Sequence, residues 1–359
     1  MGALTASRIL EGAPTRIASI DAIRPPPQAG EVQRVCGEIA PTRAHRALAV
    51  PFIVLAALLA GAARAEEAFV TNQLSDDLTV VDLVISKPVA TIAIGGKPAG
   101  VAISADGRFA YVTSPDAKVL TVVDASARKV VGRVDVGGGP LGIAVAPDGA
   151  TVYVADWYAA AVRVIDANER KVAASIAVGA SPSGLAVTPD GRLLLSADRD
   201  DDSVSIIDTG TRERRGVVKV GTCPFGVTID LEGKRAYTAN VGSNDVSVID
   251  IATAREIGRV HAGLRPYAVA LAQGRGFVTD QYDGTVSVFD LTTLQPVRRI
   301  SVGDYPEGIE ATADGKRIVV ANWESNTLSV IDAAELKVVG EIKVGDGPRA
   351  FGAFLRRTK

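Results

Sequence analysis

A small group of acidic, basic and phenolic side chains gives this chain its clearest potential for acid–base chemistry. The group comprises Glu310, Glu307, Arg265, Arg349 and Tyr305, all within a few residues of repeated prolines. Glu310 stands out because the other repeats carry Ala, Thr or Gly at its position, and a carboxylate is costly to bury unless it is paired or hydrated. Either Arg349 or channel water partners Glu310, or Glu310 is a ligand-contacting or general-acid group whose pKa is raised by desolvation.

Metal and nucleophile chemistry has little support in the composition. The chain holds two His, two Cys and one Met, and it contains no CxxCH haem-attachment motif, GxSxG elbow, Walker loop or Rossmann fingerprint. Asp198, Asp200 and Asp202 place oxygen ligands in one loop and give a calcium alternative, but their spacing lacks the Gly and the distal Glu of an EF-hand. We therefore expect no metal and no cofactor.

These side chains are carried by a repeat of about 42 residues. Each repeat contains four short stretches rich in β-branched residues, separated by turns such as Pro147-Asp148-Gly149, and no helical periodicity interrupts them. The repeats are marked by seven prolines in VGxxP-like phrases: Pro98, Pro140, Pro182, Pro224, Pro266, Pro306 and Pro348. Seven units of four strands predict an all-β, seven-bladed β-propeller.

The ends of the repeat array indicate how the ring closes. Residues 66–94 supply three strands, and the carboxy-terminal residues Arg349 to Leu355 supply one. We predict that this last strand pairs with the partial amino-terminal blade, because pairing satisfies backbone groups that an open sheet edge would expose.

The repeats resemble the YVTN-type β-propeller repeat proteins. The tetrapeptide that names this family is visible as Phe69-Val70-Thr71-Asn72 and Tyr111-Val112-Thr113-Ser114, and the resemblance covers residues 66–359. It implies a secreted or periplasmic seven-bladed propeller, distantly similar to the haem-bearing propeller of nitrite reductase, the amine dehydrogenase β-chain and the propeller lactonases. Similar propellers often accompany periplasmic redox systems, so the resemblance predicts the fold and leaves the function open.

Histidine is the residue that separates this chain from those relatives. The haem-bearing relatives need axial histidines, and the lactonases use a histidine together with Arg and Glu. After residue 65 the chain has only His261, whose repeat equivalents indicate an exposed outer strand. The resemblance therefore gives no support for haem binding and little for lactone hydrolysis.

One face of the predicted ring carries the candidate binding residues. The VGxxP loops and the loops between the second and third strands of each blade lie on the same face, which we call the top face. Seven aromatic residues fall in these loops and none falls in a bottom turn: Trp157, Tyr158, Phe225, Tyr267, Tyr282, Tyr305 and Trp323. Four basic residues join them: Lys97, Arg199, Arg265 and Arg349. Clustered exposed aromatics are typical of binding surfaces; alternatively, several of them cap the core between blades and the charges form a solvated rim.

The amino-terminal region indicates export. Residues 43–65 have basic residues, an uncharged stretch and the Ala63-Arg64-Ala65 exit typical of a secretory signal peptide. Residues 1–42 show no repeat or core pattern, and we interpret them as an unstructured extension or as the product of a start site assigned too far upstream. Cleavage after Ala65 leaves 294 residues with 32 basic and 37 acidic side chains, a net charge of −5. We expect a periplasmic or secreted monomer with no stable membrane span.

Together these features predict an exported, non-enzymatic binding or scaffold protein. Its top face would recognise a partner protein or a small ligand, as an accessory to a periplasmic redox system. One alternative is a lactonase-like hydrolase that uses Glu310, Glu307, Arg265, Arg349 and Tyr305 at the channel mouth. A second alternative is stacking of single-stranded nucleic acid on the aromatic loops, against which the net charge of −5 weighs.

Overall fold

The computed structural model describes residues 66–357, so the predicted extension and signal peptide lie outside the described residues. Twenty-eight strands form seven four-stranded antiparallel sheets, which confirms the predicted all-β, seven-bladed β-propeller. A single 3-10 turn, Arg199–Asp201, is the only helical element in this part of the chain.

Each blade runs from an inner strand at the ring axis to an outer strand at the circumference. Blade 1 combines β1 (Glu66–Asn72), β2 (Asp77–Asp82) and β3 (Lys87–Ala93) with β28 (Leu355–Arg357). Blade 2 has β4 (Val101–Ile103), β5 (Phe109–Ser114), β6 (Val119–Asp124) and β7 (Lys129–Asp135). Blade 3 has β8 (Pro140–Val145), β9 (Thr151–Asp156), β10 (Ala161–Asp166) and β11 (Lys171–Ala177). Blade 4 has β12 (Pro182–Val187), β13 (Leu193–Asp198), β14 (Ser203–Asp208) and β15 (Glu213–Lys219).

The remaining three blades follow the same order. Blade 5 has β16 (Pro224–Ile229), β17 (Arg235–Asn240), β18 (Asp245–Asp250) and β19 (Arg255–His261). Blade 6 has β20 (Pro266–Ala272), β21 (Arg275–Asp280), β22 (Thr285–Asp290) and β23 (Pro296–Ser301). Blade 7 has β24 (Pro306–Ala311), β25 (Arg317–Asn322), β26 (Thr327–Asp332) and β27 (Lys337–Lys343).

The carboxy-terminal strand closes the ring as predicted, but its bounds differ from the prediction. Only β28 is regular, and it pairs antiparallel with β1 from Glu66 opposite Arg357 to Ala68 opposite Leu355. Residues 351–353 turn towards blade 2 instead, where Val101 N–H donates to the Phe351 carbonyl at 3.0 Å. The last segment therefore joins blades 1 and 2, because its backbone groups find partners in both.

Glycine in the VGxxPxG phrase allows the inner strands to approach each other closely. A Cβ atom at Gly142 would lie 1.7 Å from the Ser183 carbonyl oxygen, and one at Gly308 would lie 2.3 Å from that of Ala350. Any side chain there would collide with the backbone of the neighbouring blade, so the glycine is required by packing at the axis.

Buried polar residues end the second strand of every blade at the top face: Asn72, Ser114, Asp156, Asp198, Asn240, Asp280 and Asn322. In blade 7, Asn322 Nδ2 donates to Ser329 Oγ at 2.9 Å; in blade 6, Asp280 Oδ2 accepts from the Ser287 hydroxyl at 2.7 Å. Asparagine and aspartate thus perform the same task, which is to tie the second strand to the third.

Candidate functional site

A channel of about 580 Å³ runs along the ring axis. Its walls are the inner strands, with small apolar side chains such as Ala144 and Ala270, and it extends to Leu231 and Gly315 in the bottom turns. The volume lies within the range of roughly 300–1,000 Å³ that is usual for small-molecule sites. The channel is therefore accessible from the bottom face, whereas the sequence analysis placed its functional mouth at the top.

Four aromatic side chains close the top end of the channel, and we call them the plug: Trp157, Phe225, Tyr267 and Phe351. The ring centroids of Phe225 and Tyr267 are 4.2 Å apart, and that of Phe351 lies 5.1 Å from Phe225. Trp157 of blade 3 reaches Phe225 of blade 5 at 6.4 Å. Rings from blades that are not neighbours meet only across the axis, so the plug fills the channel at this level.

The plug corrects part of the sequence analysis. Phe225 and Tyr267 were expected in top-face loops, but they lie at the start of β16 and β20 and are buried. Phe351 was not singled out, although a signal existed: the other repeats place Val, Ile or Leu at its position. An aromatic residue replaces an aliphatic one there because it must reach across the axis rather than pack within one blade.

A buried ion pair lies directly beside the plug. Arg349 Nε donates to Glu307 Oε2 at 2.7 Å, and Arg349 Nη2 donates to the Tyr267 hydroxyl. Glu307 Oε1 also accepts from Gln281 Nε2 at 2.7 Å. Burial raises the pKa of the Tyr267 hydroxyl well above its ordinary value. Burial opposes the charge on Arg349, but Glu307 and Tyr267 more than offset it and raise the pKa of the guanidinium. Arg349 is thus a paired structural cation and not a rim charge.

Glu310 occupies a different environment. It lines the channel below the plug, and its Oε2 accepts a hydrogen bond from the Leu355 backbone N–H at 2.8 Å. This contact ties blade 7 to the closing segment. The sequence analysis left a structural and a ligand-contacting role open for Glu310, and this contact is a structural one.

The five residues of the hydrolase alternative therefore do not form one cluster. Glu307 and Arg349 pair with each other beside the plug, Glu310 faces the channel, and Tyr305 and Arg265 lie on the top rim. A general acid and a cation that satisfy each other in a buried pair are poorly suited to acid–base catalysis, because a substrate would have to separate them first.

The exposed part of the top face contains a continuous group of side chains that we call the rim arc: Arg265, Tyr282, Tyr305, Trp323 and Leu74. Tyr282 is 57% exposed and Tyr305 is 38% exposed, and their ring centroids are 5.6 Å apart. Trp323 continues the group at 6.2 Å from Tyr305, and the Arg265 guanidinium lies 5.1 Å from the Tyr282 ring centroid. Leu74 and Trp323 both abut Gly347.

The rim arc spans blades 6, 7 and 1, so one sector of the top face carries three adjoining aromatic side chains. Leu74 and the acidic residues beside the arc, Asp304, Glu324 and Asp346, were not singled out from the sequence. A comparison of equivalent loop positions between repeats would have found Asp304 and Asp346.

The other predicted binding residues lie outside the arc. Tyr158 is highly exposed, and the Arg199 guanidinium lies 5.7 Å from the ring centroid of Trp157. Lys97 forms a salt bridge with Asp76 at 3.4 Å. These residues are accessible at the top face but form separate contacts.

The aspartates of the calcium alternative bind different partners. Asp198 is buried and accepts from the Ser196 and Ser205 hydroxyls, Asp200 accepts from Ser181, and Asp202 accepts from the Cys223 N–H. Within residues 66–357, no group of three potential metal ligands converges on a common point.

Comparisons with known proteins agree with this architecture. The family model for the cytochrome D1 heme domain matches residues 68–185, and the model for YNCE-like β-propellers matches residues 271–354. These two partial matches and the seven blades agree with the resemblance to the YVTN-type β-propeller repeat proteins that the sequence indicated, and the first match agrees with its similarity to haem-bearing propellers. No curated protein gives a significant match to the sequence of the propeller.

Solved structures with similar folds include two named redox enzymes. Hydrazine synthase of Kuenenia stuttgartiensis has a TM-score of 0.64 and 23% identity, over 71% of this chain and 89% of that chain. A functionally unknown protein of Desulfotomaculum acetoxidans has a TM-score of 0.67 and 16% identity, over 79% of this chain and 99% of that chain. The dihydro-heme d1 dehydrogenase NirN, in complex with DHE, has a TM-score of 0.60 and 19% identity, over 79% and 74%. At these identities the likeness shows the fold alone.

The residues of this propeller do not fit a haem in the channel. The plug occupies the top end of the axis, and the channel wall is built from small apolar side chains with no histidine among its lining residues. His261, at the end of β19, lies exposed on an outer strand. The channel of the described structure therefore offers neither an axial histidine nor an open top-face entrance for a macrocycle.

Proposed function

We propose that this propeller is an exported, non-enzymatic binding protein that recognises a partner protein through its rim arc. The exposed aromatic stripe formed by Tyr282, Tyr305 and Trp323 is the observation that carries the proposal. Tyr and Trp supply large contact areas at a low cost in side-chain entropy, and residues of these types dominate the energetics of protein interfaces.

The closed top of the channel supports a partner protein over a small ligand at this face. The plug fills the axis at the top of the channel, whereas neighbouring loops of three blades present a broad surface. A propeller is a rigid scaffold for such a surface, because strands of one blade or of two neighbouring blades anchor both ends of each loop.

An accessory role in a periplasmic redox system is the biological setting that we propose. The cytochrome D1 heme domain model matches part of the chain, and hydrazine synthase and NirN share the fold. Within residues 66–357, no helix is long and apolar enough to cross a membrane.

Site-specific photo-cross-linking in the native host tests the proposal. A photoreactive phenylalanine analogue would replace Tyr305 or Trp323 in separate variants, and Val339 on the exposed outer strand β27 is the matched control. We expect the same protein adduct, identified by mass spectrometry, from the two arc positions and not from Val339. No adduct at either arc position, or equal adducts at all three positions, would contradict recognition through the arc.

A further inference from the structure

We propose that the partner presents lysine or arginine side chains to the rim arc, so that this propeller recognises a basic protein surface. The inference rests on the proposed function and specifies the chemistry of the partner. Three observations carry it. Carboxylates border the arc, two of them occupy a repeat position that is uncharged in the other repeats, and the Arg265 guanidinium already lies over the Tyr282 ring.

Carboxylates flank the arc where the other repeats have none. The residue two places before each repeated proline is acidic only in the loops that enter blade 7 and the closing segment, as Asp304 and Asp346. In the other five repeats this residue is uncharged: Gly96, Gly138, Ala180, Thr222 and Leu264. Both departures from the repeat fall beside the arc, next to Tyr305 and Gly347.

A third carboxylate completes this border. Glu324 follows Trp323, and its backbone N–H donates to the Asp304 carbonyl at 3.3 Å, which places the two acidic residues in adjoining loops. Asp346 accepts a backbone hydrogen bond from Leu74 N–H at 2.9 Å and so lies at the other end of the arc. All three acidic residues are exposed, and within residues 66–357 none of their carboxylates forms a salt bridge.

Aromatic faces bordered by carboxylates attract cations. The quadrupole of an aromatic ring gives its face a partial negative charge, and a neighbouring carboxylate adds full charge at the same place. The protein shows this chemistry within the arc itself, since the Arg265 guanidinium lies over the Tyr282 ring. In the described structure no cation–π contact engages Tyr305 or Trp323, so these rings remain for cations from a partner.

Charge complementarity extends beyond the arc. With a net charge of −5 after the predicted cleavage, the propeller would attract a basic partner at long range. The same carboxylates would repel phosphate groups, which argues against single-stranded nucleic acid on these aromatic residues.

Trp323 provides a direct optical test. The chain has two tryptophans, so the Trp157→Phe variant leaves Trp323 as the only reporter. Hexalysine is the probe and hexaglutamate the control, titrated at 50 and 500 mM salt. We expect a saturable change in Trp323 emission with hexalysine only, and an affinity about ten-fold lower at high salt, because exposed charges are screened. If Trp157→Phe fails to fold, isothermal titration calorimetry of the wild-type chain makes the same comparison.

Charge-neutralised variants locate the binding. The triple variant Asp304→Asn, Glu324→Gln, Asp346→Asn should weaken hexalysine binding about five-fold or more. A matched control, Glu169→Gln, Glu213→Gln, Glu341→Gln, removes the same charge from exposed positions outside the arc and should change it less than two-fold. Equal loss in both variants, or equal binding of hexaglutamate, would overturn the inference, since either result indicates a general charge effect.

The experiments distinguish failure of the basic-partner inference from failure of the proposed function. If cross-linking at Tyr305 identifies a partner but hexalysine does not bind and the triple variant captures that partner as well as wild type, the basic-partner inference is wrong and the proposed function stands. If neither arc position gives a specific adduct, the proposed function fails. If the triple variant loses the adduct and its matched control keeps it, the result would support both the proposed function and the basic-partner inference.

Discussion

The ion pair between Glu307 and Arg349 fixes the closing segment at the top of the channel, so breaking it should weaken ring closure. Arg349 Nε lies 2.7 Å from Glu307 Oε2, and the two side chains are 19% and 5% exposed. The substitution Glu307→Gln keeps the shape of the side chain but leaves the guanidinium without its counter-charge. The guanidinium cannot escape by deprotonation, because arginine stays protonated in proteins even when it is buried.

The expected loss follows from the degree of burial. Removing one partner of a fully buried ion pair costs about 3–5 kcal/mol. Arg349 retains some exposure and Gln can still accept a hydrogen bond, so we expect about 2–3 kcal/mol of lost unfolding free energy. For domains of roughly 150–250 residues, each kcal/mol shifts Tm by about 2–4 °C, which gives a decrease of about 4–12 °C, or somewhat less for this larger ring.

Differential scanning calorimetry of a double-mutant cycle measures this coupling. The cycle comprises Glu307→Gln, Arg349→Met and the double variant, with Glu341→Gln on an exposed outer strand as the control. We expect the double variant to lose less stability than the sum of the single variants, because it leaves no unpaired charge. Strictly additive losses of unfolding free energy, or single variants whose Tm lies within 1 °C of the wild-type Tm, would refute the assignment of Arg349 as a buried structural cation.

Three further outcomes are expected. Burial raises the pKa of Asp198 although the Ser205 and Ser196 hydroxyls oppose the shift. Its ionisation therefore weakens folding as pH rises above the ordinary value of 3.8, and Asp198→Asn should raise Tm by a few degrees at pH 7 but not below pH 3.8; a pH series of thermal melts checks this. Glu67 Oε1 lies 2.9 Å from Arg128 Nη2, and Glu67 Oε2 lies 2.8 Å from Arg356 Nη1. Glu67→Gln should therefore lower Tm and expose the carboxy terminus to limited proteolysis. The intact mass of the exported protein should correspond to cleavage after Ala65.

The repeat made most of the fold predictable. Seven copies of the same pattern reduce the ambiguity of any single stretch, and segments rich in β-branched residues such as RIVVAN and TLSVID form β25 and β26. The closing segment was less predictable, because its residues have two neighbouring blades to bind and follow the repeat pattern only in part. Strand propensity alone does not reveal that Phe351 leaves the sheet to contact blade 2 and the plug.

The candidate site was predictable only at the level of the face. Sequence periodicity assigned the aromatics to the top, but it could not separate Tyr267, which is buried in the plug, from Tyr305, which is exposed on the rim. Both residues lie within one position of a repeated proline. Only the direction of each side chain relative to the axis decides between core and surface, and this direction changes by about half a turn between successive strand residues.

Recognition by a ring of similar repeats must depend on the residues that break the similarity. The inner strands, the turn aspartates and the polar ends of the second strands recur in every blade, and they account for folding. Asp304 and Tyr305 depart from most other repeats and Trp323 recurs only as Trp157, while the side chains of Asp304 and Tyr305 are exposed in one sector of the top face. Replacing them with equivalents from other blades should therefore leave Tm nearly unchanged while abolishing partner capture, which is the combination expected of a binding surface and not of a structural one.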